Sequence, residues 1–545
     1  MTEGENISKL IENILLEKLN IKEKVEVNFP KDPKHGDYSS NIILKIHSKY
    51  NLDKEYVFSL LKDNLKEYKI EEKSYFLNIF IKTETLKNVF IQKSIPKRKE
   101  KVLVEYSSPN IAKSFSIGHF SSTIIGDSIY RIYKYLGYDT TNDNHIGDWG
   151  VQFGKLIYAI KEWGDQEKIN KNPIEELNLL YIKFHKEEEI NPEITIKAKE
   201  YYKKLSEGDT ELIEYWKKIV KWSMEEFNKT YTLLGISFEN IKGESFYKDM
   251  AEDIVKKALT SKKAVIEDGA VVVYTDKNKK PLVIRKSDGT TLYSTHDLAT
   301  IQYRAKELSL NTVIYEIGSE QTQAIKQMFD VAKKLELYDE GTQLILISHG
   351  FVKLPGGEKM STRKGNTIKL TTLIDEAITK TRNMLSERSI DDEDTIKDIA
   401  IGAIKFNILK RHYSSDIIFE WDNILSFNGD NSVYIQYTYV RTLGILKNID
   451  VDKNLIEFTN TEEEELVRML YKFNDYVNLA KLSPNILSEY LLNISKMYNS
   501  IYAKYNILKE ENNTTKNTLL LITLQTKDTI KQGLSLLGIN TVDKM

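Results

Sequence analysis

The sequence predicts a multidomain α/β plus all-α protein: a small N-terminal α+β module, a central α/β domain on a parallel sheet, and a C-terminal helical bundle. Three observations lead there. From residue 101 the strand-like runs "KVLVEY", "AVVVYT", "TVIYEIG" and "QLILIS" alternate with helical stretches, as in a parallel sheet covered on both faces. Beyond residue 371 there is one Pro and five Gly in 175 residues, while apolar residues recur at spacings of three and four, which is helical periodicity with few breakers. The chain of 545 residues exceeds one compact core and reads as about three or four domains.

Residues 1–95 open on an acidic amphipathic helix with Ile7, Leu10, Ile11 and Ile14 on one face, pass through the loop "PKDPKHGDYSSNI", and reach the alternating strand "YFLNIFIK". The charged stretch "QKSIPKRKEK", 92–101, reads as a linker. Residues 100–370 form the Rossmann-like parallel-sheet domain, interrupted at about 155–250 by a long charged helical insertion that widens it. Residues 371–425 are a helical connection and 426–545 the bundle. There Thr461 and Glu464 have capping-box spacing, followed by Leu466, Met469, Leu470, Phe473, Val477 and Ala480 on one face. There are no internal repeats.

With 78 Lys+Arg against 80 Asp+Glu, the chain is no polycation that coats nucleic acid, so any RNA contact comes from local patches. It has no Cys, which removes disulfides, thiolate metal sites and thiol nucleophiles together. The N-terminus lacks a basic start and a continuous apolar stretch, and no run approaches the roughly 20 apolar residues of a membrane span. A soluble, cytoplasmic protein is expected. Abundant Ile, Lys, Asn and Tyr give long Lys/Glu faces, so charge runs carry little weight.

Two stretches point to a nucleotide. In "VLVEYSSPNIAKSFSIGHFSSTIIGDSIYRIYKYLGY" a strand runs through a polar turn into a helix with Ile117, Phe120, Ile124, Ile125, Ile132 and Leu136 on its buried side. A helix N-terminus then faces the carboxyl end of a strand, where α/β sheets bind phosphates. Gly118 lets an adenine or ribose approach the backbone, and His119 offers a donor to a phosphate oxygen. With 25 Gly and 8 His one Gly-His pair is unremarkable, so its meaning depends on that context. In "GFVKLPGGEKMSTRKGNTIKL", Lys359, Arg363 and Lys364 sit in a Gly-bounded loop after a strand, placed to close over a triphosphate and stabilise charge developing on pyrophosphate.

Together these stretches resemble the paired "HIGH" and "KMSKS" signatures of class I aminoacyl-tRNA synthetases. The phrases "VEYSSPNIAK", "NHIGDWGVQFG", "KSDGTTLYSTHDLA", "GSEQ" and "EKMSTRKGN" look like arginyl-tRNA synthetases, a resemblance that covers nearly the whole chain. It implies ATP as substrate with Mg²⁺ on its phosphates, L-arginine and tRNA(Arg) as partners, and neither DNA nor membrane; a monomer is expected. It implies ATP binding by Ser116, Gly118, His119, Lys359, Met360 and Ser361, with Lys113, His119, Lys359, Arg363 and Lys364 catalytic. It places arginine contacts on Glu105, Asn110, Tyr293, Asp297 and Gln321, with His145, Asp148 and Gln152 near the site wall.

The chemistry suits that substrate. A guanidinium stays charged at physiological pH and presents five N–H donors in a fixed fork, so its pocket needs acids and amide oxygens. Tyr293 and Asp297 share a face if their segment is helical. Asp143, His145 and Asp148 do not have structural-zinc spacing, and no protein-held metal is expected. The implied reaction attacks the ATP α-phosphate with the arginine carboxylate, giving arginyl-adenylate and pyrophosphate, and then passes the arginyl group to the 2′-hydroxyl of the terminal adenosine. Alignment and charge stabilisation suffice, so no protein nucleophile is required.

Three positions depart from the fuller pattern. Ser116 stands for the first His of "HIGH", so one phosphate contact passes to a hydroxyl, a water or another residue; Ala324 stands for a His often found after "GSEQ"; and Thr362 stands for the second Lys of "KMSKS", with Lys113, then Arg363 and Lys364, the candidates to replace that lost cation. The N-terminal module resembles the family's tRNA-elbow module and the bundle its anticodon-binding domain. In "YIQYTYVR" the aromatics and Arg441 suit stacking on unpaired bases, although a core stripe of Tyr434, Tyr437 and Val440 is the simpler expectation for any one tyrosine.

Overall fold

The computed structural model describes residues 2–87, 95–113, 115–353, 370–418, 421–427, 429–452 and 456–545. After an opening helix, Glu3–Leu19, the N-terminal module forms a three-stranded antiparallel sheet in the order β1 (Tyr38–Ser40), β3 (Phe76–Ile81), β2 (Tyr68–Lys73). Ile7, Ile11 and Leu15 of that helix are buried. Leu10 and Ile14 are only partly covered.

The central sheet is fully parallel. It comprises β4 (Lys101–Glu105), β5 (Asp139–Asn144), β6 (Asn240–Ile241), and, after three strands of another sheet, β10 (Thr312–Gly318) and β11 (Gln343–His349). The order is β11-β10-β4-β5-β6. The chain leaves β4 toward β5 on one side and returns to β10 on the other, so the boundary of β4 and β10 is a topological switch point, where such sheets open a crevice at their carboxyl ends. The helix Ile117–Tyr135 follows β4 and buries Phe120, Ile124, Ile125, Ile129 and Ile132 between the sheet and the C-terminal helices; each such side chain contributes about 1.5–3 kcal/mol.

One expected sheet strand lies elsewhere. "AVVVYT" forms β8 (Ala270–Thr275), flanked by β7 (Val265–Glu267) and β9 (Asn278–Arg285) in a separate antiparallel sheet. A continuous apolar run signals burial, not the identity of its partners, and here the turns to either side are too short for parallel crossovers. Five helices between Val151 and Leu233 fill the expected insertion and end at β6, the edge of the parallel sheet.

The last part is helical: Leu370–Ser386, Glu393–Leu409, Ser432–Leu446, Thr461–Tyr471, Phe473–Leu479, Asn485–Lys504 and Asn513–Leu536 are its longer helices. A two-residue pairing of β12 (Val352–Lys353) with β13 (Ile417–Ile418) joins it to the sheet domain. The expected capping box is displaced by one residue. Asn460 caps, its side chain accepting from the Glu463 N–H, while Thr461 already lies in the helix; Asn is as good an N-cap as Thr. The apolar face downstream is also broken, between Tyr471 and Phe473. Among the described residues, no helix is long and apolar enough to cross a membrane.

Candidate active site

β4 ends at Glu105, and the turn to the helix Ile117–Tyr135 is tightly determined. A Cβ on Gly126 would lie 2.1 Å from Tyr106 Cβ, so only glycine lets the helix pack directly on the strand exit. Ser107, Ser108 and Ala112 have φ of 73°, 43° and 62°, conformations that cost on the order of 1 kcal/mol or more each. Five hydrogen bonds hold them. The N–H groups of Ser107, Ser108 and Ala112 donate to Ser122 Oγ (3.0 Å), Asn144 Oδ1 (3.1 Å) and Ser223 Oγ (2.9 Å). Ser107 Oγ also meets Tyr231 Oη and Thr123 Oγ1, both at 2.8 Å.

Ser116 is the N-cap of the helix. Its Oγ accepts from the His119 N–H at 3.3 Å, and its own N–H donates to His119 Nδ1 at 3.2 Å. The departure at Ser116 thus has a local reason, since serine caps well and histidine does not. Burial, then the charges of Lys113 and His349, push the His119 pKa down to about 4. With Nδ1 accepting, the neutral ring carries its proton on Nε2, a donor. A Cβ on Gly118 would meet only Ser116 Oγ, at 3.6 Å; the protein's own packing does not require glycine there.

Beside this turn is a cluster of carboxyls around one internal guanidinium. Arg304 is fully buried; one of its Nη atoms bonds Glu105 and the other donates to Asp143 Oδ2 at 2.7 Å. It lies in a π-helical turn, Tyr303–Glu307, that extends the helix Tyr293–Gln302. Asp297 and Glu244 have no such partner among the described residues. Burial and the nearby Glu105 raise Asp297 to about 7, with Arg304 opposing. Burial, then Asp297 and Asp148, raise Glu244 to about 9, and Glu244 Oε2 is buried without a hydrogen bond among the described residues.

His145 lies between these groups, with Nε2 3.9 Å from Asp297 Oδ1. Burial and Arg304 lower it to about 4, so it is neutral and no counter-ion. Asp148 is satisfied by the Ser245 N–H (2.8 Å) and hydroxyl (2.6 Å). A site with more buried carboxyls than cations favours a cationic ligand, and carboxyls on separate elements suit a forked one.

Of the expected arginine contacts, Asn110 and Tyr293 line one cleft, together with Lys113, Gln152 and Tyr181. Tyr293 begins its helix and donates to Gln152 Oε1 at 2.7 Å; Asp297 lies one turn on. Asn110 pairs with Gly147 in a single bridge, and Lys113 Nζ is 5.7 Å from the Tyr181 ring centre. Gln321 is exposed just beyond the end of β10, one strand over from Glu105. Ala324 is exposed on the helix Thr322–Lys334. Lys359, Met360, Ser361, Thr362, Arg363 and Lys364 lie outside the described residues.

The sequence does not single out Arg304 or Glu244. Arg304 had one available signal, a lone cation seven residues after Asp297 on a face otherwise occupied by Leu298, Ile301 and Ala305; Glu244, in "KGESFY", had none. In the bundle, Val433, Ile435, Gln436, Thr438, Tyr439 and Thr442 form the buried face of Ser432–Leu446, while Tyr434, Tyr437 and Val440 are half-buried. The simpler expectation holds in part: Tyr434 and Val440 pack half-buried against the core, while the fully buried face is the helix's other side. Tyr437 instead lies under two guanidiniums, Arg441 at 4.4 Å and Arg388 at 5.1 Å from its ring centre.

Three family models match successive parts of the chain: "Arginyl tRNA synthetase N terminal domain" over 5–81, "tRNA synthetases class I (R), catalytic domain" over 83–421 and "DALR anticodon binding domain" over 435–545. The chain is 38% identical to the arginine–tRNA ligase of Clostridium botulinum (strain Alaska E43) over 88% of each chain. It is also 38% identical to that of Fusobacterium nucleatum, over 96% of this chain and 95% of the relative. Among solved structures it is similar to the arginyl-tRNA synthetase of Plasmodium falciparum, with a TM-score of 0.82, 26% identity and 99% of each chain covered. The Thermus thermophilus arginyl-tRNA synthetase has a TM-score of 0.83 at 21% identity over 100% of each chain, a likeness of fold.

Proposed function

The chain belongs to the class I arginyl-tRNA synthetases and charges tRNA with arginine, and from that premise we propose how its residues divide the chemistry. ATP, with Mg²⁺ carried on its phosphates, is held at the N-terminus of Ile117–Tyr135. His119 donates Nε2–H to a phosphate oxygen, Gly118 leaves room for the nucleoside, and Ser116 serves by capping. Lys113 adds positive charge. From the second signature, Lys359, Met360 and Ser361 complete the ATP contacts, and Lys359, Arg363 and Lys364 stabilise the departing pyrophosphate.

Arginine lies in the acidic cluster, with Asp297 and Glu244 on the guanidinium, Tyr293 beside them, and Glu105, Asn110 and Gln321 holding the rest. The substrate carboxylate oxygen bonds to the α-phosphorus as the bond to the β-phosphate oxygen breaks, giving arginyl-adenylate and pyrophosphate. The 2′-hydroxyl of the terminal adenosine then attacks the arginyl carbonyl, and AMP leaves. Proximity and fixed charges carry both steps. Residues 1–95 form the tRNA-contacting module, 100–370 the catalytic domain with its insertion at about 155–250, 371–425 the connection and 426–545 the anticodon-binding domain. The enzyme acts as a monomer in the cytoplasm.

One observation carries the substrate assignment: Asp297 and Glu244 are drawn together beside the signature turn, with pKa values raised and, among the described residues, no cation between them. The test is ATP–pyrophosphate exchange with each amino acid, with and without tRNA(Arg). Exchange supported by arginine alone among the amino acids is expected. Exchange with lysine would overturn the assignment of a forked cation to this pocket.

A further inference from the structure

We propose that the buried Glu316–His349 pair is a positioning device of the nucleotide site, in which His349 supplies, behind His119, the positive charge that the first signature lacks at Ser116. This rests on reading the site as one that activates arginine with ATP.

Ser116 cannot supply that charge. Its hydroxyl and N–H are both engaged with His119, and it brings no cation. The sheet provides one from below. Glu316 is on β10 and His349 is the last residue of β11; Glu316 is paired with Ile347, two residues before His349, so both side chains leave the same face. His349 Nδ1 lies 2.7 Å from Glu316 Oε1, and both residues are buried. Glu316 Oε2 is buried with no hydrogen bond among the described residues, which leaves His349 as the carboxylate's side-chain partner there. Ser122, three residues after His119, donates to the Glu316 carbonyl oxygen at 3.4 Å, so the first turns of the signature helix rest on this strand end.

The titratable groups facing His349 are Glu316 on β10, Glu320 on the turn after it, and the neutral His119 on the helix. Burial opposes the charge of His349, but Glu316 and Glu320 outweigh it and raise its pKa. His349 in turn helps lower His119. The two imidazoles have separate roles. His349 bears the charge, and His119 stays neutral with Nε2–H directed to a phosphate oxygen. A buried cation near a phosphate site acts in a medium of low dielectric, where its field reaches further than in water.

The test uses the full chain in arginine-dependent ATP–pyrophosphate exchange, comparing the parent with His349→Gln and Glu316→Gln, each with and without Ser116→His. Each single variant is expected to lower kcat/KM for ATP roughly ten- to a hundredfold, leave KM for arginine unchanged, and remove an alkaline limb from the pH profile of kcat/KM for ATP. That limb exists because the charge on His349 is present below its raised pKa and lost above it. Ser116→His should restore part of the loss. An unchanged kcat/KM and pH profile in a folded variant, or no recovery with Ser116→His, overturns the proposal. If His349→Gln does not fold, Glu316→Gln, which keeps a side-chain oxygen and removes the charge, carries the same expectations. Absence of arginine-dependent exchange in the parent would instead overturn the functional reading beneath it.

Discussion

At the scale of single residues, Asp297 and Glu244 are the buried carboxyls with the most strongly raised pKa values beside the proposed site. Their pKa values are raised in the arginine-free protein, to about 7 and about 9, so the folded state holds protons that the unfolded state releases in the ordinary carboxylate range. Stability of the free protein therefore falls as pH rises through that window. Glu244→Gln removes part of this penalty. Its melting temperature at pH 8 is expected to exceed the parent's by a few degrees (~1 kcal/mol is about 2–8 °C), while arginine binding is lost. A variant no more stable than the parent would contradict the assignment. Arginine binding at pH 7–8 should release about one proton, read as a dependence of binding enthalpy on buffer ionisation heat. Asp297→Asn should raise KM for arginine on the order of a hundredfold, with KM for ATP within about twofold.

At the scale of elements, the turn between β4 and the signature helix lies between the two proposed substrate sites. Its strained residues are held by hydrogen bonds from distant segments, and Ser223, in the helix Thr210–Leu233, supplies one of them at Ala112. Ser223→Ala leaves that N–H unsatisfied, at about 1–3 kcal/mol. Because the same turn carries Asn110 and Lys113, both KM values should rise together, whereas a loss of stability alone would move neither in the cold. Gly126→Ala forces a Cβ into Tyr106, where the nearest atom would be 2.1 Å away, and is expected to destabilise by about 3 kcal/mol in thermal unfolding. The same segment explains what could be read beforehand. Strand, polar turn and amphipathic helix are local patterns and legible. The positive φ of Ser107, Ser108 and Ala112 is not, because partners at Asn144, Ser223 and Tyr231 impose it.

Across the whole molecule, the terminal units are tied to the rest by buried charge. Asp37, in the N-terminal module, accepts from Arg468 Nη1 at 2.7 Å and Lys472 Nζ at 2.8 Å at the start of the bundle. Asp37→Ala removes this partner from Lys472, while Arg468 keeps Glu464 and the Ile81 carbonyl; it is expected to cost about 1–3 kcal/mol and to speed protease cleavage between residues 82 and 100 while arginine-dependent pyrophosphate exchange continues. At the other end, buried Lys405 donates to the Leu234 carbonyl at 2.6 Å and to that of Gly538, so the chain terminus is fastened against the catalytic unit. Burial lowers Lys405 to about 8.

The sequence by itself determined the class of the fold, the order of its three parts and the two signatures, because hydrophobic period, breaker content and short motifs are local properties of a chain. It also offered Glu105, Asn110, Tyr293 and Asp297 as candidates, of which Asn110 and Tyr293 line one cleft. Only the tertiary structure decided which carboxyls are compensated. Glu105 meets Arg304 from 199 positions away, leaving Asp297 and Glu244 as the pair without a cation among the described residues. It decided as well that "AVVVYT" pairs in its own antiparallel sheet, and that Ser116 caps a helix above an ion pair contributed by two other strands. These outcomes depend on which elements pack together, and the electrostatics of a buried site follow from that packing.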